Sequence, residues 1–307
     1  MLDLECGWEA KRDSGVPRCA VLIAGPTASG KSALALALAE RHRGAIVNAD
    51  ALQVYADLRI LTARPSDEDE ARVPHRLYGH VAADQRYTVA RWRLDVAAVL
   101  EELRAEERLP ILVGGTGLYF KALTEGIASV PPIPDALRDR LAAEAEAVGI
   151  PALHERLARL DAAGAARLGP HDTTRVLRAL EVVEATGRPL AAWQKEAGLP
   201  PLIDRAAARA VVLAPDRAEL HERIDKRFDA MVSAGALEEA RALLSHRLDP
   251  ALPAMKAIGL REFGRFLAGA TTRDAAVTAA KTQTRRYAKR QETWFRNQMA
   301  DWERVRL

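Results

Sequence analysis

Residues 25–32, Gly-Pro-Thr-Ala-Ser-Gly-Lys-Ser, carry the G-x-x-x-x-G-K-[ST] spacing that builds a phosphate cradle. Gly25 and Gly30 let the backbone from Gly25 through Pro26, Thr27, Ala28 and Ser29 to Gly30 curl, so that its N–H groups converge on one concavity. The start of a following helix adds partial positive charge. Lys31 would bring a mobile cation to the outer phosphates, and the Ser32 hydroxyl is the usual ligand for a phosphate-bound Mg2+. Which phosphate compound the loop holds stays open from these residues.

The flanks are those that such a loop needs. Cys19-Ala-Val-Leu-Ile-Ala24 reads as a buried strand, and the Ala/Leu run from Ala33 to Glu40, free of Gly and Pro, reads as a helix. Gly44 closes the next turn and Ala45-Ile-Val-Asn-Ala-Asp50 predicts a second strand, completing a parallel β-α-β unit. Asp50 then falls at the carboxyl end of a strand, where open α/β sheets place their ligands. The stretch after it, Ala51-Leu52-Gln53-Val54-Tyr55, offers an amide and a phenol suited to holding a planar base. Leu109 to Val113 predicts another strand running into Gly114-Gly115-Thr116-Gly117, again at the carboxyl edge. No acid stands there to hold a metal, but the Thr116 hydroxyl could donate to a phosphate oxygen.

Residues 62–74 read as a solvated loop with four acids, followed by a short strand to about Val81. His75, alone and beside a proline, reads as a structural hydrogen-bonder more readily than as a base. Thr88 is a candidate N-cap for a packing helix to about Glu107. The prolines 131, 132 and 134 mark a boundary, after which residues 131–199 carry only helical signals. The expected fold is α/β: a P-loop NTPase-like parallel sheet flanked by helices, built from 19–130 and 200–307. It carries an all-helical insertion over 131–199 and a loose extension over 1–18.

Two basic features remain. Arg223 and Arg227 lie one turn apart on a helix from Arg217 to Met231, which makes either a phosphate clamp or a solvated basic face. Lys281, Arg285, Arg286, Lys289, Arg290 and Arg296 share one predicted helix with Tyr287, Trp294 and Phe295. That pattern suits a nucleic-acid backbone, or a surface helix balanced by acids elsewhere. With 307 residues, 49% hydrophobic and 28% charged, the chain is an ordinary globular protein rather than a disordered or fibrous one. It shows no signal peptide and no stretch of membrane-span length, so no membrane partner and a cytoplasmic location are expected. Cys6 and Cys19 predict neither a disulfide nor a zinc site.

Six blocks in order closely resemble the tRNA dimethylallyltransferase family of bacterial type. They are Gly25 to Ser32, Asp50-Ala-Leu-Gln-Val-Tyr55, Pro74-His-Arg-Leu77, Gly114-Gly-Thr-Gly-Leu-Tyr119, Met255-Lys-Ala-Ile-Gly-Leu-Arg261 and Arg286-Tyr-Ala-Lys-Arg-Gln-Glu-Thr-Trp294. The resemblance implies transfer of a dimethylallyl group from dimethylallyl diphosphate to N6 of the adenosine 3′-adjacent to the anticodon. The catalytic residues carried over are Asp50 as general base, Thr116 and Lys31. The diphosphate would lie in the P-loop with Mg2+ on Ser32 and with Arg223 and Arg227 beside it. The anticodon arm of tRNA would meet Asp50, Ala51, Leu52, Gln53, Thr116, Arg138, Thr174, Arg175, Arg178, Lys256, Gly259, Arg261, Lys289, Arg290, Gln291, Trp294 and Arg296. The family usually has serine where this chain has Ala51, which puts one local hydrogen bond in doubt. A monomer on one tRNA is the simplest assembly. An ATP-dependent kinase on the same nucleotide-binding loop, or an RNA-binding protein without catalysis, are the competing readings.

Overall fold

The computed structural model describes residues 20–306. The segment 1–18, with Cys6, and the Cys19 position lie outside the described residues. The sheet has six strands, all paired in parallel, in the order β3-β2-β4-β1-β5-β6. These are β1 (Ala20–Ala24), β2 (Gly44–Asn48), β3 (His75–Arg76), β4 (Leu109–Gly114), β5 (Ala208–Leu213) and β6 (Glu303–Val305). The strands read as continuous apolar runs because both faces are covered. Leu22, Val47, Leu112 and Val212 enter the larger core, while Val21, Ile46, Ile111 and Val211 pack on the other face with Ala35, Leu36, Leu38 and Ala39. The latter four come from α1 (Lys31–Arg41).

Three local departures from the sequence reading have physical causes. Gly44 belongs to β2, and the left-handed turn residue is Arg43 at φ 50°. Gly44 is needed because a Cβ there would stand 2.8 Å from Ile111 Cδ1. The acidic loop contains α2 (Asp67–Arg72), closed by a capping box between Ser66 and Asp69 and favoured by its acids in the first turn. The strand expected to reach Val81 is only β3; Val81 makes an isolated bridge to Tyr55. Thr88 does cap α3 (Val89–Ala105), accepting from Arg91 N–H, and Trp92, Val96, Leu100 and Leu103 are buried along it.

The chain divides into two compact units, one of Glu125–Pro201 and one of the residues on either side. The helical unit begins before its prolines because Ile127 pairs with Leu199 in an antiparallel stem. It contains α5 (Asp135–Val148), α6 (Ile150–Leu160), α7 (Ala162–Ala165), α8 (Thr173–Thr186) and α9 (Leu190–Lys195) around Leu141, Leu153, Leu157, Val176 and Leu180. The sheet unit adds α4 (Gly117–Thr124), α10 (Arg217–Ser233), α11 (Ala236–Ser245), α12 (Leu260–Leu267) and α13 (Arg273–Gln298). No helix among the described residues is long and apolar enough to cross a membrane.

Parallel register makes the carboxyl ends of β1, β2 and β4 flush, with Ala24 opposite Gly114 and Asn48 opposite Val113. Gly114 sits where the chain leaves β4 against β2, and a Cβ there would stand 2.0 Å from Ala49 O. Because that neighbour is backbone, the strands must part to admit a methyl group. Gly114→Ala is expected to destabilise the protein by about 3 kcal/mol, read as a lower urea midpoint.

Candidate active site

The phosphate loop leaves β1 and turns through Ala28 at φ 65° and Gly30 at φ 92° before α1 begins at Lys31. No side chain caps α1, so its first N–H groups stay available to an anion. Lys31 Nζ donates to Pro26 O at 3.0 Å, across the loop. Burial pulls its pKa down to about 8, with Asp50 resisting and Arg227 adding to the fall. The Ser32 hydroxyl is exposed beside it.

Only one of the two arginines on α10 reaches this loop. Arg227 Nη2 donates to Thr27 Oγ1, and burial lowers its pKa to about 10 while Asp50 opposes the fall. Arg223 turns along its own helix to Glu219 at 3.6 Å and does not line the cleft. Of the two arginines read as a clamp or a basic face, the structure brings Arg227 to the loop and leaves Arg223 beside Glu219.

Asp50 is set by Asn48, which is fully buried at the end of β2. Asn48 Oδ1 accepts Asp50 N–H at 2.8 Å, and Nδ2 donates to Asp50 O and Leu77 O, each at 3.0 Å. Trp92 Nε1 donates to Asn48 O at 2.9 Å, anchoring the strand end to α3. Asp50 Oδ1 then accepts Leu52 N–H at 3.0 Å, and Oδ2 lies 3.3 Å from where a Cβ on Gly115 would stand. Thr116 is tied to the same turn, since its Oγ1 accepts Ala51 N–H at 2.9 Å and its N–H donates to Ala49 O. The bond to Thr116 uses the backbone of residue 51, so alanine there does not remove it. The hydroxyl proton of Thr116 remains for an oxygen anion.

Helix α13 closes this edge. Trp294 packs over Gly117, where a Cβ would meet the indole ring at 2.1 Å. Gln291 is 6% exposed; its Oε1 accepts Thr27 N–H and its Nε2 donates to Gly115 O, both at 2.9 Å. Its amide is thus spent inside the protein, contrary to the expected contact with RNA. The basic stripe is divided: Lys281 pairs with Asp229 at 2.6 Å and Arg285 with Asp225 at 2.6 Å, both on α10. Arg286, Lys289, Arg290 and Arg296 are exposed, and Arg290 lies 5.6 Å over the Tyr287 ring.

A cleft of about 590 Å³, counting its open mouth, runs from Thr27, Asp50 and Arg227 along Leu52, Leu61, Ile224, Phe228, Met231 and Ile258. It joins a charged end to an apolar wall. Loop 59–61 in that wall is held by Glu239 of α11, which accepts the N–H groups of Arg59, Ile60 and Leu61 at 2.7–2.8 Å. Gln53 Nε2 donates to Thr62 O and Ala63 O, and Tyr55 is fully buried with its hydroxyl on Gln85 O. Neither side chain is presented to a base as expected. Gly259 is also internal: at φ 106° it opens α12, and a Cβ would meet Leu61 Cδ2 at 2.6 Å. Lys256 and Arg261 beside it are exposed. His75 Nδ1 donates to Val73 O, 2.9 Å away, which fits the structural reading.

In the helical unit, Arg138 and Arg178 both approach Glu181, at 3.8 and 3.2 Å, and Arg175 approaches Asp172 at 3.6 Å; Thr174 is exposed. Asn48, Glu239 and Tyr287 were not singled out as site residues by the sequence. Asn48 could have been, as the one polar residue at the end of an apolar strand.

The family model described as IPP transferase matches residues 53–298, and one described as isopentenyl transferase matches 19–83. The chain belongs to the IPP transferase family. It is 58% identical to a tRNA dimethylallyltransferase of Nitrobacter hamburgensis, over 92% of this chain and 89% of that one. A tRNA isopentenylpyrophosphate transferase of Bacillus halodurans has the same fold, with TM-score 0.66, 33% identity and coverage of 94% and 90%. A eukaryotic dimethylallyltransferase acting on tRNA aligns with TM-score 0.76 and 27% identity, over 91% of this chain and 70% of that one. The family reached from the six ordered sequence blocks is the same one, and its IPP transferase fold is the parallel sheet described above.

Replacing Asn48 by aspartate keeps its shape but removes both Nδ2 donors and buries a charge. Asn48→Asp is expected to cost about 3 kcal/mol of stability in urea titration, because Asp50 O and Leu77 O lose their donor.

Proposed function

We propose that this chain transfers the dimethylallyl group of dimethylallyl diphosphate to N6 of the adenosine 3′-adjacent to the anticodon of tRNA, releasing diphosphate. The observation that carries the reading is one edge of the sheet. There the Asp50 carboxylate, with one oxygen held by Leu52 N–H, stands between a cationic phosphate loop and an apolar-walled cleft. The family membership of the chain supports the same activity.

The amine nitrogen attacks the first carbon of the allylic group as the bond from that carbon to the diphosphate oxygen breaks. Asp50 takes the proton from N6, and the electron pair of the broken bond leaves on diphosphate. Lys31, Arg227 and the N–H groups at the start of α1 neutralise the charge that develops there. The Thr116 hydroxyl donates to the same leaving group. N6 of adenine is a weak nucleophile, so the fixed Asp50 turn contributes by orientation as much as by basicity. The target base must leave its stack to enter the cleft.

Ser32 is the residue that would hold Mg2+. Its exposed hydroxyl at the mouth of the loop is a hard oxygen donor, and no cluster of three acidic, His or Cys side chains stands elsewhere among the described residues. The remaining ligands would be diphosphate oxygens and water. When bound, the ion supplies further charge neutralisation to the leaving group. For tRNA we assign Lys289, Arg290 and Arg296, with Trp294, Ala51, Leu52, Lys256 and Arg261, and Arg138, Thr174, Arg175 and Arg178 of the helical unit. The protein would work as a monomer in the cytoplasm.

Unmodified tRNA, Mg2+ and labelled dimethylallyl diphosphate are expected to yield labelled N6-dimethylallyladenosine on digestion, with ATP in a parallel tube unchanged. ATP consumption without label in RNA would instead favour a kinase, and tight tRNA binding without product a passive RNA-binding protein. Asp50→Ala is expected to lower turnover by about 1,000-fold while diphosphate affinity stays within a few-fold, since the residue acts on the amine. Normal turnover of that variant would remove Asp50 from the reaction.

A further inference from the structure

Gln291 joins the phosphate loop directly to the turn bearing Thr116. Its buried amide has two different ends, and each is matched: Oε1 to Thr27 N–H, Nε2 to Gly115 O, both at 2.9 Å. Thr27 itself accepts from Arg227, and Gly115 lies between β4 and Thr116. A Cβ on Gly115 would stand 2.1 Å from Gln291 Nε2, so the glycine is what lets the amide reach the backbone. The two bonds therefore set the distance between the leaving-group cradle and the Asp50–Thr116 turn.

We propose that Gln291 is a positioning residue for the transfer reaction, fixing the span between phosphate loop and Thr116 from within the helix whose exposed cations face solvent. This rests on the transfer reading above. Arg290 and Lys289 are its sequence neighbours and are exposed, so Gln291 occupies the inner face of the same turn. A shorter side chain cannot meet both partners, and one that only donates or only accepts leaves a buried backbone group unpaired.

The matched polarity gives a signature that simple packing lacks. In Gln291→Glu the ionised carboxylate can accept from Thr27 N–H but sets a lone pair against Gly115 O. When protonated, its carbonyl accepts and its O–H donates, which restores both bonds. The ionisable groups nearest it, Asp50, Lys31, Arg227 and Tyr287, are the same in wild type and variant, so the ratio of variant to wild type isolates the substituted group.

The experiment measures kcat, the KM for dimethylallyl diphosphate, tRNA affinity and inorganic diphosphate affinity for wild type and Gln291→Glu at about pH 8.5, 7 and 5.5. At high pH the variant is expected to transfer about 100-fold more slowly than wild type, as misplacement of a reacting pair by about 1 Å does. The deficit should shrink to about tenfold or less at low pH, while tRNA affinity stays within threefold throughout. A ratio flat with pH, or a loss of tRNA affinity in place of turnover, overturns the proposal. Wild-type turnover in the same tubes tests the transfer reading separately. Should wild type make no product, inorganic diphosphate affinity decides for Gln291: a pH-dependent loss in the variant supports it, and no change overturns it.

Discussion

Everything at the candidate site depends on the parallel register of three strands. With Ala24, Gly114 and Asn48 ending at one level, the phosphate loop, the Asp50 turn and the Thr116 turn must emerge side by side. Both faces of these strands are apolar, so the register is fixed by side-chain fit, as where Gly44 admits Ile111 and Gly114 admits the backbone of Ala49. Local hydrogen bonds then do the fine positioning. Asn48 holds the turn of Asp50, Ala51 N–H ties it to Thr116, and Gln291 ties Thr116's strand end to Thr27.

Charge is sorted by the same packing. On α13, cations turned toward α10 meet Asp225 and Asp229, while those on the outer face meet water. Exposed pairs of that kind contribute little stability, so their effect is mainly to leave a one-signed outer face. Inside the cleft the order is reversed. Lys31 and Arg227 have lost part of their hydration, which lowers both pKa values and makes a dianionic ligand a favourable replacement for water.

Much of this was legible in the sequence, because the signals were local. The G-x-x-x-x-G-K-S run with its strand and helix, Asp50 at a strand end and the cap at Thr88 all depend on neighbours a few residues away. Long-range pairing was not legible. Arg223 and Arg227 have the same spacing signal, and only the chain fold decides that one reaches Thr27 while the other stays with Glu219. Gln291 shares its sequence neighbourhood with basic residues that suit RNA, yet Ala276, Ala280, Thr284, Ala288, Gln291 and Phe295 form one buried stripe at steps of three and four. That periodicity placed it inward; what it could not show was a polar partner 264 residues away in Thr27. Gln53 and Tyr55 failed similarly, their polar atoms taken by loop carbonyls.

The most direct measurement is a crystal structure of the protein with Mg2+ and a dimethylallyl thiodiphosphate that resists cleavage. The diphosphate is expected in the loop within hydrogen-bond reach of Lys31 and Arg227, with the ion on Ser32 and the allylic carbon facing Asp50 and Thr116. An analogue bound with its diphosphate outside the loop, or with its allylic carbon turned away from Asp50, would contradict the assignment of this edge as the transfer site.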